Sequence, residues 1–179
     1  WRSFDSRIWI PTVIMLSLLI AASFSYIAMG LPGAGPMSGN RLFGEWRVFA
    51  ATVDKIYKSV EEETGSAPVV LGGDRNFISS ELSFYSDSHI ENIAGSYLIG
   101  SQSLMWAIWF PRAAAAGMNV LMVDFDRSNL TSPYLRVDFD SLSEIFSEPL
   151  EKDGRRIGKL YWRVGYRYKG DKEITKTER

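Results

Sequence analysis

Three stretches of the chain carry residue types that can do chemistry. The first is Leu71-Gly72-Gly73-Asp74-Arg75. An apolar run, Ala67 to Leu71, precedes it and a helical pattern follows, so it joins a strand to a helix N-terminus. Such a junction turns free backbone N–H groups and the positive end of a helix dipole towards an anion. Gly72 and Gly73 permit close approach, and Arg75 can hold a phosphate. The pattern lacks the Gly-Lys-Ser/Thr ending of a P-loop. The same residues also make an ordinary tight turn with Asp74 as the helix cap.

The second stretch is Asp124-Phe125-Asp126, at the end of the strongest strand pattern. Two carboxylates around one residue offer hard oxygen ligands to a divalent cation holding a nucleotide-sugar diphosphate. The tetrapeptide Val-Asp-Phe-Asp recurs at 137–140, however, which reads as a compositional habit with Val and Phe inward and Asp outward. No metal ligand is therefore assigned. The third stretch runs from Tyr97 to Arg112 and is the richest in aromatic residues. It reads either as core packing or as an apolar surface set against lipid or another part of the protein, rimmed by Arg112.

Other chemistries are excluded or unsupported. The chain has no Cys and one His. It can form no disulfide, no Cys-ligated zinc or iron–sulfur site, no thiol nucleophile and no multi-histidine metal centre. His89 sits in a polar Ser-Asp-Ser-His loop and reads as a surface residue rather than a general base. Asp74 and Glu81 could in principle share acid–base work, but seven residues of helix set them about 10 Å apart. No catalytic residue is assigned and no cofactor is expected. Asn129-Leu130-Thr131 is a glycosylation acceptor sequence if the host glycosylates the chain.

The elements that must position these residues follow from periodicity. Glu45 to Glu62 predicts a helix, with Trp46, Phe49, Val53, Ile56 and Val60 forming one apolar stripe and Thr64-Gly65 as its stop. Ala67 to Leu71 predicts a buried parallel strand. A helix capped by Asp74 is expected to run to about Tyr85, with Phe77, Leu82 and Phe84 inward. His89 to Ile93 reads as a strand, Ser103 to Phe110 as a short helix stopped by Pro111, and Met118 to Phe125 as a strand. Ile145 to Glu151 and Ile157 to Tyr166 flank Asp153-Gly154, the signature of an antiparallel hairpin, expected at the sheet edge. The fold class is α/β, a small layered domain with a mostly parallel sheet and a C-terminal hairpin.

The N-terminal segment differs. No charged residue occurs between Arg7 and Arg41, and Ile8 to Leu31 is almost wholly apolar. About 20 helical residues cross a hydrocarbon core of roughly 30 Å. The stretch has no polar face, so it reads as a membrane span. A secretory signal peptide would have a shorter apolar core and a more basic start. Arg2 and Arg7 precede the span, which places the N-terminal side in the cytoplasm by the positive-inside rule. The soluble part is then extracytoplasmic, on the periplasmic side of the inner (plasma) membrane. The expected organisation is a span with its short flank over 1–31, a linker over 32–43, a domain over 44–169 and a frayed polar tail over 170–179. Because the chain opens on Trp1 rather than Met, it reads as a piece of a longer protein or a processed product.

Charge is uneven. Residues 34–150 hold 8 basic and 15 acidic residues, whereas residues 151–179 hold 10 basic and 5 acidic. The net charge of −1 argues against a nucleic-acid binder. The basic C-terminal segment reads either as a solvated strand pair with a loose tail or as a surface near lipid headgroups or phosphates.

The order of motifs has a counterpart. An apolar span leads into Gly44-Glu45-Trp46-Arg47, then Asp74-Arg75, then Ser80-Glu81-Leu82-Ser83-Phe84-Tyr85. Next come Gly100-Ser-Gln-Ser-Leu-Met-Trp106, the strand from Gly117 to Val123 and Tyr161-Trp-Arg-Val-Gly-Tyr166. The series resembles the extracytoplasmic C-terminal domain of bacterial polytopic glycosyltransferases of the integral-membrane GT-C class, similar to dolichyl-phosphate-mannose protein mannosyltransferases. The resemblance spans most of residues 8–168. It implies that the whole protein moves a sugar from a polyprenyl-phosphate carrier to an acceptor glycan, lipid or protein, with its catalytic acid upstream of this chain. The family's Asp-Arg and Ser-Glu-Leu-x-Phe-Tyr blocks match Asp74, Arg75, Glu81, Phe84 and Tyr85, with no role derived for them. Taken with the loop reading, the candidate substrate contacts are Gly72, Gly73, Asp74, Arg75, Glu81 and Gln102. The Ser-Gln-Ser-Leu-Met-Trp stretch departs from the Arg-rich pattern of many relatives, which weakens that role for Gln102. The competing expectation is a single-pass, membrane-anchored ligand-binding or sensor domain without catalysis, its ligand at the Gly72–Arg75 loop.

Overall fold

A computed structural model describes residues 6–28, 45–74, 77–87, 92–101, 105–132 and 135–170. The chain divides into two compact units, Trp1–Glu45 and Trp46–Arg179. The expected linker, His89, Arg75, Gln102 and the tail beyond Gly170 lie outside the described residues.

The first unit contains α1 (Ser6–Ala28). Its window Arg7–Phe24 is long and apolar enough to cross a membrane, and every residue in it is exposed. Two of its hydroxyls bond back to the helix's own carbonyls. Thr12 donates to the Ile8 carbonyl at 2.7 Å and Ser23 to the Leu19 carbonyl at 2.8 Å. An N-terminal apolar helix of this kind is compatible with a membrane anchor or a signal sequence.

The second unit is an α/β domain. Its helix α2 (Trp46–Thr64) buries Phe49, Val53, Ile56 and Val60, the apolar stripe seen in the sequence. Gly65 closes it at φ +70, its N–H bonding the Glu61 carbonyl, a left-handed stop that glycine adopts without strain. The strands β1 (Val69–Gly72), β2 (Ile93–Ala94) and β3 (Val120–Asp124) are fully buried. β1 lies between the other two and pairs parallel with both. Helix α3 (Phe77–Tyr85) connects β1 to β2 and packs on α2. The short α4 (Trp106–Trp109) lies between β2 and β3.

The C-terminal part is antiparallel. The short helix α5 (Leu135–Asp138) leads directly into β4 (Phe139–Leu142), followed by β5 (Phe146–Lys152) and β6 (Arg155–Tyr168). Asp153 and Gly154 turn the hairpin with φ of 49° and 73°, both left-handed as a two-residue hairpin turn demands. The sheet order is β2-β1-β3-β6-β4, with β5 also paired to β6. The sheet is thus parallel at its core and antiparallel at the C-terminal end.

Three expectations need correction. The hairpin is not simply an edge addition, because its second strand, β6, lies between β3 and β4. At 14 residues β6 outruns its partners, pairing with β5 along its first half and with β4 along its second. Phe77 and Phe84 do not point inward. They are 66% and 79% exposed, while Ile78, Ser79 and Leu82 form the buried face of α3. The two Val-Asp-Phe-Asp segments do not share one inward–outward pattern either. Asp124 is buried, Val137 is exposed and Phe139 is buried.

Candidate functional site

Of the residues singled out in the sequence, Gly72, Gly73, Asp74 and Asp124 meet at the carboxyl ends of β1 and β3. Because β1 lies between β2 and β3, the chain leaves it in one direction and returns on the other. In open α/β sheets, ligands bind outside the strand ends at such a reversal. Here the reversal is occupied by Gly73, Asp74 and Asp124. The Gly73 amide donates to the Val123 carbonyl at 2.9 Å. A Cβ on Gly73 would come within 3.2 Å of both Cβ and Cγ of Asp124. A Cβ on Gly72 would come within 2.7 Å of the Ile78 Cβ. The protein's own atoms therefore fill the space that each glycine opens.

Asp74 caps α3 as expected. Its carboxylate accepts from the Phe77 amide at 2.7 Å and the Ile78 amide at 2.9 Å. These are the free donors of a helix N-terminus, so an anion reaching this loop must displace Asp74. Glu81 is half-buried one turn into α3, and no hydrogen bond or ion pair joins it to Asp74 among the described residues. Arg75 and Gln102 are not described.

Asp124 is the least conventional group at the junction. It is 3% exposed. One oxygen accepts from the Asp126 amide at 2.7 Å, the other from the Asn129 side-chain amide at 2.9 Å. Burial raises its pKa above the ordinary carboxylate value; the two hydrogen bonds oppose that shift and the nearby Asp74 charge adds to it. A carboxyl held in this way keeps its proton at higher pH than a surface Asp and can exchange it with a neighbour. Asp126 behaves oppositely. It caps the following 3₁₀ turn by accepting from the Ser128 amide at 2.9 Å, and that bond holds its pKa low. The paired carboxylates are thus committed to local backbone and side-chain donors. Among the described residues, no group of three or more His, Cys, Asp or Glu side chains is placed to hold a metal ion.

Two structural residues escaped the sequence reading. Ser79 accepts from the Gly72 amide at 3.1 Å and donates to the Ala94 carbonyl at 2.7 Å, tying β1, α3 and β2 together. Asp54, buried on α2, accepts from the Ser86 hydroxyl at 2.6 Å and the Asp87 amide at 3.1 Å. A polar residue on the inner face of a helix gives no periodic signal, so neither was visible in the pattern of apolar residues. The acceptor sequence at Asn129 is also explained locally, since its amide nitrogen is engaged by Asp124.

The aromatic stretch divides between both expectations. Trp106 is buried and stacks edge-on against Trp109, which is 66% exposed. Arg112 does not rim an open surface with a free head, because its guanidinium donates to the Tyr97 carbonyl. No protein family, curated protein or solved structure matches the chain.

Proposed function

We propose that the chain is the last membrane span and accessory extracytoplasmic domain of an integral-membrane glycosyltransferase that uses a polyprenyl-phosphate-linked sugar donor. The observation that carries this reading is α1, whose apolar residues from Arg7 to Phe24 are exposed throughout. Exposed apolar surface of that extent is stable in a bilayer and unstable in water. The order of short motifs through the α/β domain supports the class. Tethering supports the role, since a short connection holds a domain at high effective concentration beside a membrane-embedded active site.

In this reading the carboxylate chemistry of sugar transfer belongs to another part of the enzyme. The domain shapes the acceptor side, and the Gly73–Asp124 junction is a structural pivot rather than the reacting centre. The test is donor consumption by membranes carrying the complete reading frame that encodes this chain. Radiolabelled sugar leaving a polyprenyl-phosphate donor, and lost when residues 45–179 are deleted, is the expected result. No consumption of any polyprenyl-phosphate sugar would overturn the reading in favour of an anchored, non-catalytic binding domain.

A further inference from the structure

We propose that Arg136 and Arg163 form a binding site for a phosphate group in the cavity between α5, β4 and β6. The cavity has a volume of about 290 Å³ and is lined by Arg136, Phe139, Asp140, Ser141, Leu142 and Arg163. Its position, at the far end of the sheet from β2, sets it apart from the Gly73–Asp124 junction.

The charge in this cavity is uncompensated. Arg163 is half-buried, yet no carboxylate lies within ion-pair distance of it among the described residues. Two backbone carbonyls fix its guanidinium, Leu130 at 2.8 Å from Nη1 and Ser143 at 2.6 Å from Nη2. Its Nε–H is closed to solvent and has no acceptor among the described residues. A half-buried guanidinium without a counter-ion is costly, and burial together with the nearby Arg136 charge lowers its pKa. Arg136 is exposed and also lacks a carboxylate partner among the described residues. Asp140, the one acidic residue lining the cavity, is held by Arg167 at 3.4 Å and Lys169 at 3.7 Å. Among the residues lining the cavity, the two cations Arg136 and Arg163 thus outnumber the one carboxylate, Asp140.

The ligand chemistry follows. A guanidinium whose orientation is already fixed loses little entropy on gripping an oxyanion, and its planar donors match phosphate oxygens. Two arginines balance the charge of a phosphate dianion. Phe139 and Leu142 supply an apolar wall that strengthens the attraction, and Ser141 adds a hydroxyl. The phosphate can belong to a lipid headgroup or be free in solution. The site stands independently of the glycosyltransferase reading, because it rests on residues of this chain alone.

The test is equilibrium binding of radiolabelled orthophosphate to the whole chain in dodecyl maltoside micelles, which contain no phosphate. Wild-type chain is expected to bind one orthophosphate. Arg136→Gln is expected to weaken binding about tenfold, the loss of one charge-assisted hydrogen bond, without changing the thermal melt. Arg155→Gln, at the start of β6, is expected to bind like the wild type. Arg163 also holds two loop carbonyls, so Arg136 is the decisive position. Short-chain phosphatidic acid added to the micelles distinguishes the sources. Displacement of orthophosphate assigns the site to lipid headgroups, and retention assigns it to free phosphate. Absent binding, or equal binding by wild type and Arg136→Gln, would overturn the proposal.

Discussion

Gly73 and Asp124 are packed so closely that the side chain of one takes the place where the other would carry a Cβ. Their backbones are joined by the bond from the Gly73 amide to the Val123 carbonyl. This contact fastens the carboxyl ends of two parallel strands and puts a buried carboxylate at the reversal of strand order. A glycine is required at position 73 for reasons internal to the protein.

Gly73→Ala is therefore expected to destabilise the domain by about 1–3 kcal/mol, the usual cost of overpacking. The double variant Gly73→Ala/Asp124→Ala is expected to cost less than the sum of the two single changes, because the collision is removed. Thermal or urea unfolding of the four proteins in the cycle measures the coupling. Additive losses would show that the two residues do not oppose each other.

Asp124 makes a pH prediction with a definite sign. Its folded pKa lies above its ordinary value of 3.8. The group's favourable contribution is then fully present below 3.8 and is lost as pH rises through the folded value. Asp124→Asn cannot ionise and escapes that loss. The melting temperature of the variant minus that of the wild type is expected to increase as the pH is raised from about 4 to about 7. A difference that falls over this range contradicts the assignment.

Asp54 is expected to matter more than its place on a helix suggests. Asp54→Ala leaves the Ser86 hydroxyl and Asp87 amide without their buried acceptor. The cost is expected to be about 2 kcal/mol, within the range for hydrogen bonds to a charged group. Chemical denaturation reads it directly, and a loss below a few tenths would remove Asp54 as the anchor of the α3 C-terminal turn.

Tyr97 gives the opposite sign. Its hydroxyl is buried and has no hydrogen-bond partner among the described residues, and burial leads the causes that push its pKa up to about 12. Tyr97→Phe removes a polar atom with nothing to bond, so stability is expected to stay level or rise by up to about 1 kcal/mol. A clear loss in the melt would indicate an acceptor at that hydroxyl.

The sequence pattern revealed elements more readily than it revealed their partners. The α2 stripe, the Asp74 cap, the β3 run and the Asp153-Gly154 turn rest on local rules of spacing, capping and turn chemistry. They are seen where those rules place them. The inner face of α3 was misread because Ser79, a polar residue, outcompetes Phe77 and Phe84 for the sheet by bonding β1 and β2 at once. The inward turn of Asp124 was misread because its cost is met by donors from Asp126 and Asn129, which no period in the sequence announces. The interior position of β6 arises from pairing with β3, a contact between distant segments. At the candidate site, the glycines and Asp74 were legible as a loop-to-helix junction. Their partner Asp124 lies fifty residues further along the chain and was legible only as a member of a repeated tetrapeptide.

The central claim is that α1 remains with the domain as a bilayer anchor. Intact mass spectrometry of the chain after alkaline carbonate extraction of membranes tests it most directly. The account predicts a product that stays in the pellet and still contains Ser6–Ala28. A carbonate-released product whose mass begins beyond Ala28 would identify α1 as a removed signal sequence and contradict the account.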